Sequence, residues 1–246
     1  MRAEMTRAPR NLSYTPLEFI EIGRPVDRIG YIRNACRNKV VLDLGAMDET
    51  AFAQKRGQGT WLHEEIAGVA DRVIGLDSSS VIPSSGLTTA RNAIVLKGDI
   101  LRLGEFLSHT DFNPDIIVAG ELIEHLENPL EFLRSFRRIP RLTGKILLLS
   151  TPNATAIHNC LIALANREST HHDHLCILSF KTINTLLVRA GYENYQIIPY
   201  HSDFAEMKQR NDGTGRSLIV CGEFVIELIE KMFPLMSFGL IVEIAV

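Results

Sequence analysis

Residues 40–48, Val-Val-Leu-Asp-Leu-Gly-Ala-Met-Asp, decide the fold class of this chain. The apolar run that ends at Leu44 predicts a buried parallel strand, and Gly45 predicts a tight turn directly after it. Gly45 allows a positive φ or a close backbone approach because it has no Cβ. Asp43 lies at the carboxyl end of the strand, where open α/β sheets bind their ligands. An acid at that point favours a ligand with a cationic amine over a pyrophosphate.

The same pattern of an apolar strand followed by a helix recurs along the chain. Further strands are predicted at 73–77, 94–96, 115–119, 145–150, 195–200 and 239–246. Helices are predicted between them, including one that begins after Gly120 and runs to Arg138. Strand-then-helix units in series imply an α/β, doubly wound, mostly parallel sheet, here of seven strands.

The length of 246 residues and a hydrophobic fraction of 46% suit one large domain, 1–246. Residues 1–37 are predicted to form an N-terminal helical arm. Segments 154–190 and 201–234 are predicted to be helical insertions near a substrate pocket.

Charge and cysteine usage exclude several classes of function. The net charge of −3 gives no bulk attraction to nucleic acid or to an anionic membrane. The four cysteines lack C-x-x-C spacing and there is no apolar leader at the N-terminus, so we expect a cytoplasmic protein with reduced thiols. Acidic residues interrupt the apolar run 218–246, which therefore predicts core rather than a membrane span.

Three acids follow three of the predicted strands: Asp43, Asp77 and Asp99. A parallel sheet brings these strand ends to one edge. There Asp43 could hold an amino group, and Asp77 could accept two hydrogen bonds from a ribose diol. Asp99 could accept from an adenine amine, with Ile100 beside the base. Each acid alone is more often a cap or a loop residue, but the ordered set is harder to explain in that way.

The sequence resembles the class I S-adenosylmethionine-dependent methyltransferases. The residues that carry this resemblance are 41–45, 73–77, 97–100, 115–126 and 150–154, in the order typical of that family. The resemblance implies a Rossmann-like sheet with an antiparallel last strand, and S-adenosylmethionine as cofactor. It implies cofactor contacts at Asp43, Gly45, Asp77, Asp99, Ile100 and Glu121. The family usually has further glycines where Ala46, Met47 and Asp48 stand here.

A second set of candidate residues follows the fourth predicted strand. Glu121, Glu124 and His125 are spaced to share one face of the predicted helix there. Together with the later run 171–174, His-His-Asp-His, they resemble the metal-binding set of small-RNA 2′-O-methyltransferases. The first part of this set, Glu-x-x-Glu-His at 121–125, also resembles the corresponding motif of ubiquinone-type O-methyltransferases. The resemblance implies a divalent ion such as Mg²⁺ held by Glu121, Glu124, His125 and His174. Without a metal, Glu121 and His125 would form an ordinary i, i+4 pair on a helix.

Methyl transfer to a hydroxyl requires a proton acceptor, and histidine is the natural base near neutral pH. The catalytic candidates are His174, His125 and His172, in that order. His63 and His201 are expected to face solvent.

We therefore predict methyl transfer to a small-molecule acceptor, with O-methylation favoured and N- or aromatic C-methylation as alternatives, in specialised metabolism. The sequence contains no basic stripe for nucleic acid, and it is compatible with a homodimer. Two other readings stay open: a non-catalytic methyltransferase-like partner subunit, and a metal-dependent 2′-O-methyltransferase acting on RNA. A nicotinamide dehydrogenase would need G-x-G-x-x-G after the first strand, which is absent.

Overall fold

The computed structural model describes residues 12–47, 60–204, 207–208 and 211–246. Residues 1–11 of the predicted arm, the segment 48–59 and four positions of the predicted insertion 201–234 lie outside the described residues. The Asp48 of the opening stretch falls among them.

One eight-stranded sheet organises the chain, in the order β3-β4-β2-β1-β5-β6-β8-β7. Strands β4, β2, β1, β5 and β6 pair in parallel, whereas β8 runs antiparallel between β6 and β7, and β3 runs antiparallel to β4. The strands are β1 Val40–Leu44, β2 Arg72–Asp77, β3 Leu87–Ala90, β4 Ala93–Lys97, β5 Ile116–Gly120, β6 Ile146–Pro152, β7 Tyr195–Tyr200 and β8 Gly239–Ala245.

Helices cover both faces of this sheet. They are α1 Arg28–Ala35, α2 Leu62–Ala67, α3 Leu103–Ser108, α4 Pro129–Arg137, α5 Ile157–Ala163, α6 Phe180–Ala190 and α7 Gly213–Met232. None of the helices described is long and apolar enough to cross a bilayer.

The Rossmann-like α/β prediction and the antiparallel last strand are confirmed, but the sheet has eight strands instead of seven. The additional strand, β3, lies in a stretch for which the sequence predicted no element. It has only four residues and forms the half-buried edge of the sheet, so it lacks the apolar run that marks the central strands. It is joined to β4 by a two-residue hairpin connection at Arg91 and Asn92.

Alternate residues of β1 contribute to two separate cores. Leu42 and Leu44 pack into the core that contains α4 and α6, whereas Val41 packs on the other face with Ile32 of α1 and Ile66 of α2. Because side chains alternate along a strand, Asp43 projects to the same face as Val41. Asp43 is therefore directed beneath α2.

The structure does not contain the long helix predicted from Gly120 to Arg138. Glu121 has a φ of +50°, a left-handed conformation that L-residues seldom adopt and that cannot begin a helix. A single 3₁₀ turn, Ile123–His125, follows it. Helix α4 starts only at Pro129, where the Asn128 side chain caps the Glu131 N–H at 3.0 Å. Glu121, Glu124 and His125 therefore lie in a loop, and the prediction that they share a helix face is wrong.

The helices of the two segments predicted as pocket insertions lie in different parts of the fold. Helix α6, with Phe180, Ile183 and Leu187 buried, is part of the main core and packs against α4. Helices α5 and α7 instead border the large cavity described below.

Candidate active site

The turn after β1 packs closely against neighbouring strand ends. Gly45 has a φ of +68° and its N–H donates to the Leu76 carbonyl at 2.9 Å. The positive φ favours glycine, and a Cβ at Gly45 would lie 2.8 Å from Leu122 Cδ1, so that side chain would have to shift. This turn therefore lies at the carboxyl edge of the sheet, as the sequence predicted.

Asp77 ties this turn to the end of β2. Its Oδ2 accepts the Met47 N–H at 2.9 Å and its Oδ1 accepts the Ser79 N–H at 2.8 Å. A carboxylate oxygen can accept more than one hydrogen bond, so these two bonds do not by themselves preclude contacts to ribose hydroxyls. The conformation of the carboxylate is fixed in advance, which suits a binding residue.

Asp99 and Ile100 follow β4 at the same edge. Asp99 is exposed, and its Oδ1 accepts the Leu101 N–H at 2.8 Å, which caps a short 3₁₀ turn. Its other oxygen is free of hydrogen bonds to the described residues. Ile100 is half-buried next to it. This geometry fits the predicted polar and apolar contacts to an adenine.

Asp43 has a different environment from the other two acids. It is buried, and its Oδ2 lies 2.8 Å from Nδ1 of His63, whose Nε2 is 3.0 Å from Thr89 Oγ1. The expectation that His63 faces solvent is wrong, since His63 is 1% exposed. A carboxylate held in this way under α2 can stabilise the turn that follows β1. Sequence reasoning missed His63 because nothing local distinguishes it from a surface helix residue.

A cluster of one carboxylate and two imidazoles lies in the loop after β5. Glu124, His125 and His174 each present a ligand atom within 4.8 Å of the others. Backbone hydrogen bonds bring the two loops together: the Glu124 carbonyl accepts from Leu175 N–H at 2.8 Å and from Cys176 N–H at 3.3 Å. Residues about fifty positions apart in the sequence thus converge.

The electrostatics of this cluster suit a cation. Glu124 is fully buried, and neither of its carboxylate oxygens makes a hydrogen bond of normal geometry to the described residues, although Thr151 is near enough to oppose the rise of its pKa. Burial, reinforced by repulsion from Glu121, raises the pKa of Glu124 from 4.5 to about 8. Burial, together with His125 and His171, lowers the pKa of His174, whose Nδ1 is likewise buried without a partner among those residues. Unpaired buried carboxylate and imidazole groups are costly unless a ligand satisfies them.

The structure does not place Glu121 in this cluster. Glu121 Oε1 accepts the Tyr200 hydroxyl at 2.9 Å and lies 3.9 Å from Arg28 Nη1. Burial, and then the nearby Glu121 carboxylate, raises the pKa of Tyr200 well above its ordinary value. Tyr200 and Arg28 are site residues that the sequence did not single out, because one lies on β7 and the other on α1, far from the motif residues.

His172, the remaining histidine candidate, lies outside this cluster. His172 is exposed, and its Nε2 lies 3.2 Å from Asp173 Oδ2. His171, which was not selected from the run 171–174, is closer to the cluster: its ring centroid is 5.6 Å from that of His174 and 6.1 Å from that of His125.

A cavity of about 1040 Å³ opens next to this cluster. Its polar wall includes Arg28, Glu121, His174 and Tyr200, and much of the remainder is apolar. The lining comes mainly from α1, α5, α7 and the ends of β6 and β7. Asp77 and Asp99 do not line it, and because it is separate from them we call it the acceptor cavity.

Comparison with known proteins identifies the fold and the family. A family model described as "Methyltransferase domain" matches residues 21–197. No curated protein matches the sequence.

Several solved structures share the fold at low sequence identity. A SAM-dependent methyltransferase from Archaeoglobus fulgidus is 17% identical with a TM-score of 0.50, and the match covers 88% of this chain and 91% of that one. The small RNA methyltransferase HEN1 is 18% identical with a TM-score of 0.53, over 94% of this chain but 27% of that one. A possible histamine N-methyltransferase from Thermotoga maritima is 13% identical with a TM-score of 0.52, and the match covers 87% of this chain and 86% of that one.

The matched domain includes every strand of the parallel core, the glycine turn after β1 and the loop after β5. The motif acids at the ends of β1, β2 and β4 lie within the same matched range. The chain therefore belongs to the class I methyltransferase-domain family and is an S-adenosylmethionine-dependent methyltransferase.

Proposed function

We propose that this enzyme methylates a hydroxyl group of a small molecule with the help of a divalent cation bound by Glu124, His125 and His174. The observation that carries the proposal is the buried carboxylate of Glu124, which makes no hydrogen bond of normal geometry to the described residues and lies within 4.8 Å of two imidazoles. A cation would satisfy these groups.

The donor set fits a metal. His125 Nδ1 lies 3.2 Å from the Asp173 carbonyl oxygen, so Nδ1 is the protonated nitrogen and Nε2 is left as the ligand atom. Mixed imidazole and carboxylate ligands suit Mn²⁺ and related ions as well as the predicted Mg²⁺. When bound, such an ion would lower the pKa of an acceptor hydroxyl and orient it.

The chain's own residues would complete the reaction site. We assign Asp77, Asp99, Ile100 and the Gly45 turn to binding of S-adenosylmethionine, which supplies the methyl group, and we assign Asp43 to supporting that turn through His63. With His125 and His174 as ligands, the exposed His172 is the remaining predicted residue that could pass the acceptor proton to solvent. Glu121 borders the acceptor cavity, where Tyr200 fixes its carboxylate.

The cavity favours a small acceptor over a macromolecule. It is of the size of small-molecule sites, and its wall is largely apolar with a few convergent polar groups. The net charge of −3 provides little attraction for a polyanion. The second candidate, 2′-O-methylation of RNA, is supported by the same cluster of Glu124, His125 and His174, because the motif resembles that of small-RNA methyltransferases.

Metal dependence is tested with a panel of catechols, phenols, indoles, sugars and short RNAs. We expect that methylation of a hydroxylated small molecule is lost in EDTA and is restored by Mg²⁺ or Mn²⁺. His174→Ala should raise the metal concentration needed for half-maximal activity at least tenfold, whereas His109→Ala, at an exposed position, should not change it. Activity that is indifferent to chelation would refute the metal proposal.

The acceptor class and the catalytic role are tested separately. Methylation of RNA alone would favour the second candidate. Calorimetry with S-adenosylhomocysteine distinguishes an enzyme from a non-catalytic partner subunit, since the latter need not bind the cofactor product.

A further inference from the structure

Helix α7 exposes a continuous apolar stripe. Leu218, Cys221, Val225, Leu228 and Met232 follow one another at intervals of three and four residues, which is the a/d spacing of a coiled-coil seam. We call these five residues the α7 seam. All five are exposed, from 49% for Leu228 to 74% for Leu218 among those with large side chains.

The opposite side of α7 faces the rest of the chain and carries both apolar and acidic residues. Ile219 and Ile226 line the acceptor cavity, and Glu230 is buried against Ser202. The α7 seam is instead left exposed, and contiguous exposed apolar surface of this kind is typical of an interaction site.

We propose that the α7 seam binds the same seam of a second copy of this chain, with the two helices antiparallel. A two-fold axis near Val225 then places Leu218 of one copy against Met232 of the other, and Cys221 against Leu228. Phe224, which is 67% exposed, lies beside the axis and meets its own symmetry mate. Isologous contacts of this kind are the usual basis of homodimers.

The extent and spacing of the surface favour a protein helix as the partner. The seam and Phe224 together expose on the order of 600 Å², close to the roughly 800 Å² per partner of a standard protein interface. The regular spacing along two heptads is the one at which the side chains of two helices pack between each other.

The charges next to the seam disfavour a membrane surface. Helices that lie on membranes are rich in Lys and Arg on the polar face, whereas α7 carries two basic residues, Arg216 and Lys231, and Lys231 is paired to Glu227 at 3.1 Å. The antiparallel orientation follows from the helix dipoles, which oppose each other in a parallel pair and complement each other in an antiparallel one.

Sedimentation velocity of the full chain between about 1 and 50 µM tests the dimer. We expect twice the chain mass at high concentration, and at least tenfold weaker association for Val225→Glu. Val188→Glu is the matched control, because Val188 is a half-exposed apolar residue of α6 outside the seam. A monomeric wild-type chain at 50 µM, or a Val225→Glu variant that still dimerises fully, would overturn the proposal.

A charge pair tests the orientation. Leu218→Glu alone should weaken the dimer, and the double variant Leu218→Glu/Met232→Lys should restore it, since each introduced carboxylate would face an introduced ammonium of the other copy. A double variant as weak as the single one would refute the antiparallel pairing. Thiol labelling provides a test on the unmodified sequence: Cys221 should become slower to label as concentration rises, while exposed Cys160 on α5 should not. Equal labelling of Cys221 at all concentrations, or a monomer that binds phosphatidylcholine vesicles, would count against the dimer.

Discussion

Glu124→Gln should stabilise the metal-free enzyme, and increasingly so as the pH rises. The folded protein keeps a proton on Glu124 up to a pKa of about 8, whereas the unfolded chain releases it near 4.5. Folding therefore takes up a proton between these values, and stability falls with rising pH. One pKa unit corresponds to about 1.4 kcal/mol, so the wild-type chain loses about 3 kcal/mol by pH 7 and about 4 kcal/mol by pH 8. Glutamine has a similar shape and cannot ionise.

Urea unfolding in EDTA at pH 5, 6.5 and 8 measures this effect. The difference in unfolding free energy between Glu124→Gln and wild type should be about 1 kcal/mol at pH 5 and about 4 kcal/mol at pH 8. Glu127→Gln, at an exposed position of the same loop, should show no such trend. Added Mn²⁺ should stabilise the wild type more than Glu124→Gln, because only the wild type offers the carboxylate. A difference that stays constant from pH 5 to pH 8 would refute the reasoning.

Three further variants test the cofactor side and the sheet. Asp77→Asn should weaken S-adenosylhomocysteine binding by about 1–3 kcal/mol in calorimetry, because the charged acceptor is lost; unchanged affinity would remove Asp77 from the site. His63→Ala should lower the free energy of unfolding by about 1–3 kcal/mol or more, because Asp43 would be left buried without its partner; a smaller loss in chemical denaturation would contradict that. Gly239→Ala would force a methyl group into the ring of Tyr200, the residue paired with it across β7 and β8, and should destabilise the protein by at least about 1–3 kcal/mol; an unchanged melting temperature would argue against this packing.

The sequence was sufficient to predict the central sheet because the central strands are short apolar runs that end in acids or glycines. Strands β1, β2 and β5 are buried on both faces, and their sequences show this directly. Strand β3 is half-buried at an edge. Pairing with β4 stabilises it as a strand, and its own amino-acid composition does not predict one.

The loop after β5 shows where local pattern reasoning fails. The spacing of Glu121, Glu124 and His125 is compatible with a helix, but the backbone is left-handed at Glu121 and extended at Leu126. Backbone conformations of this kind are held by surrounding structure: here the Glu121 N–H donates to the Ser150 carbonyl of β6 at 3.0 Å. No residue near Glu121 in the sequence signals that contact.

The cofactor side and the acceptor side of the proposed active site therefore depend on different kinds of structure. The cofactor side uses strand ends, whose positions follow from hydrophobic periodicity and from the parallel topology. The acceptor side depends on contacts between distant segments, such as Glu124 with the loop that carries His174, and Glu121 with Tyr200 of β7. These contacts leave the Glu124 carboxylate buried without a hydrogen bond of normal geometry to the described residues, which costs stability. The proposed cation would offset that cost, and the pH dependence of Glu124→Gln measures it.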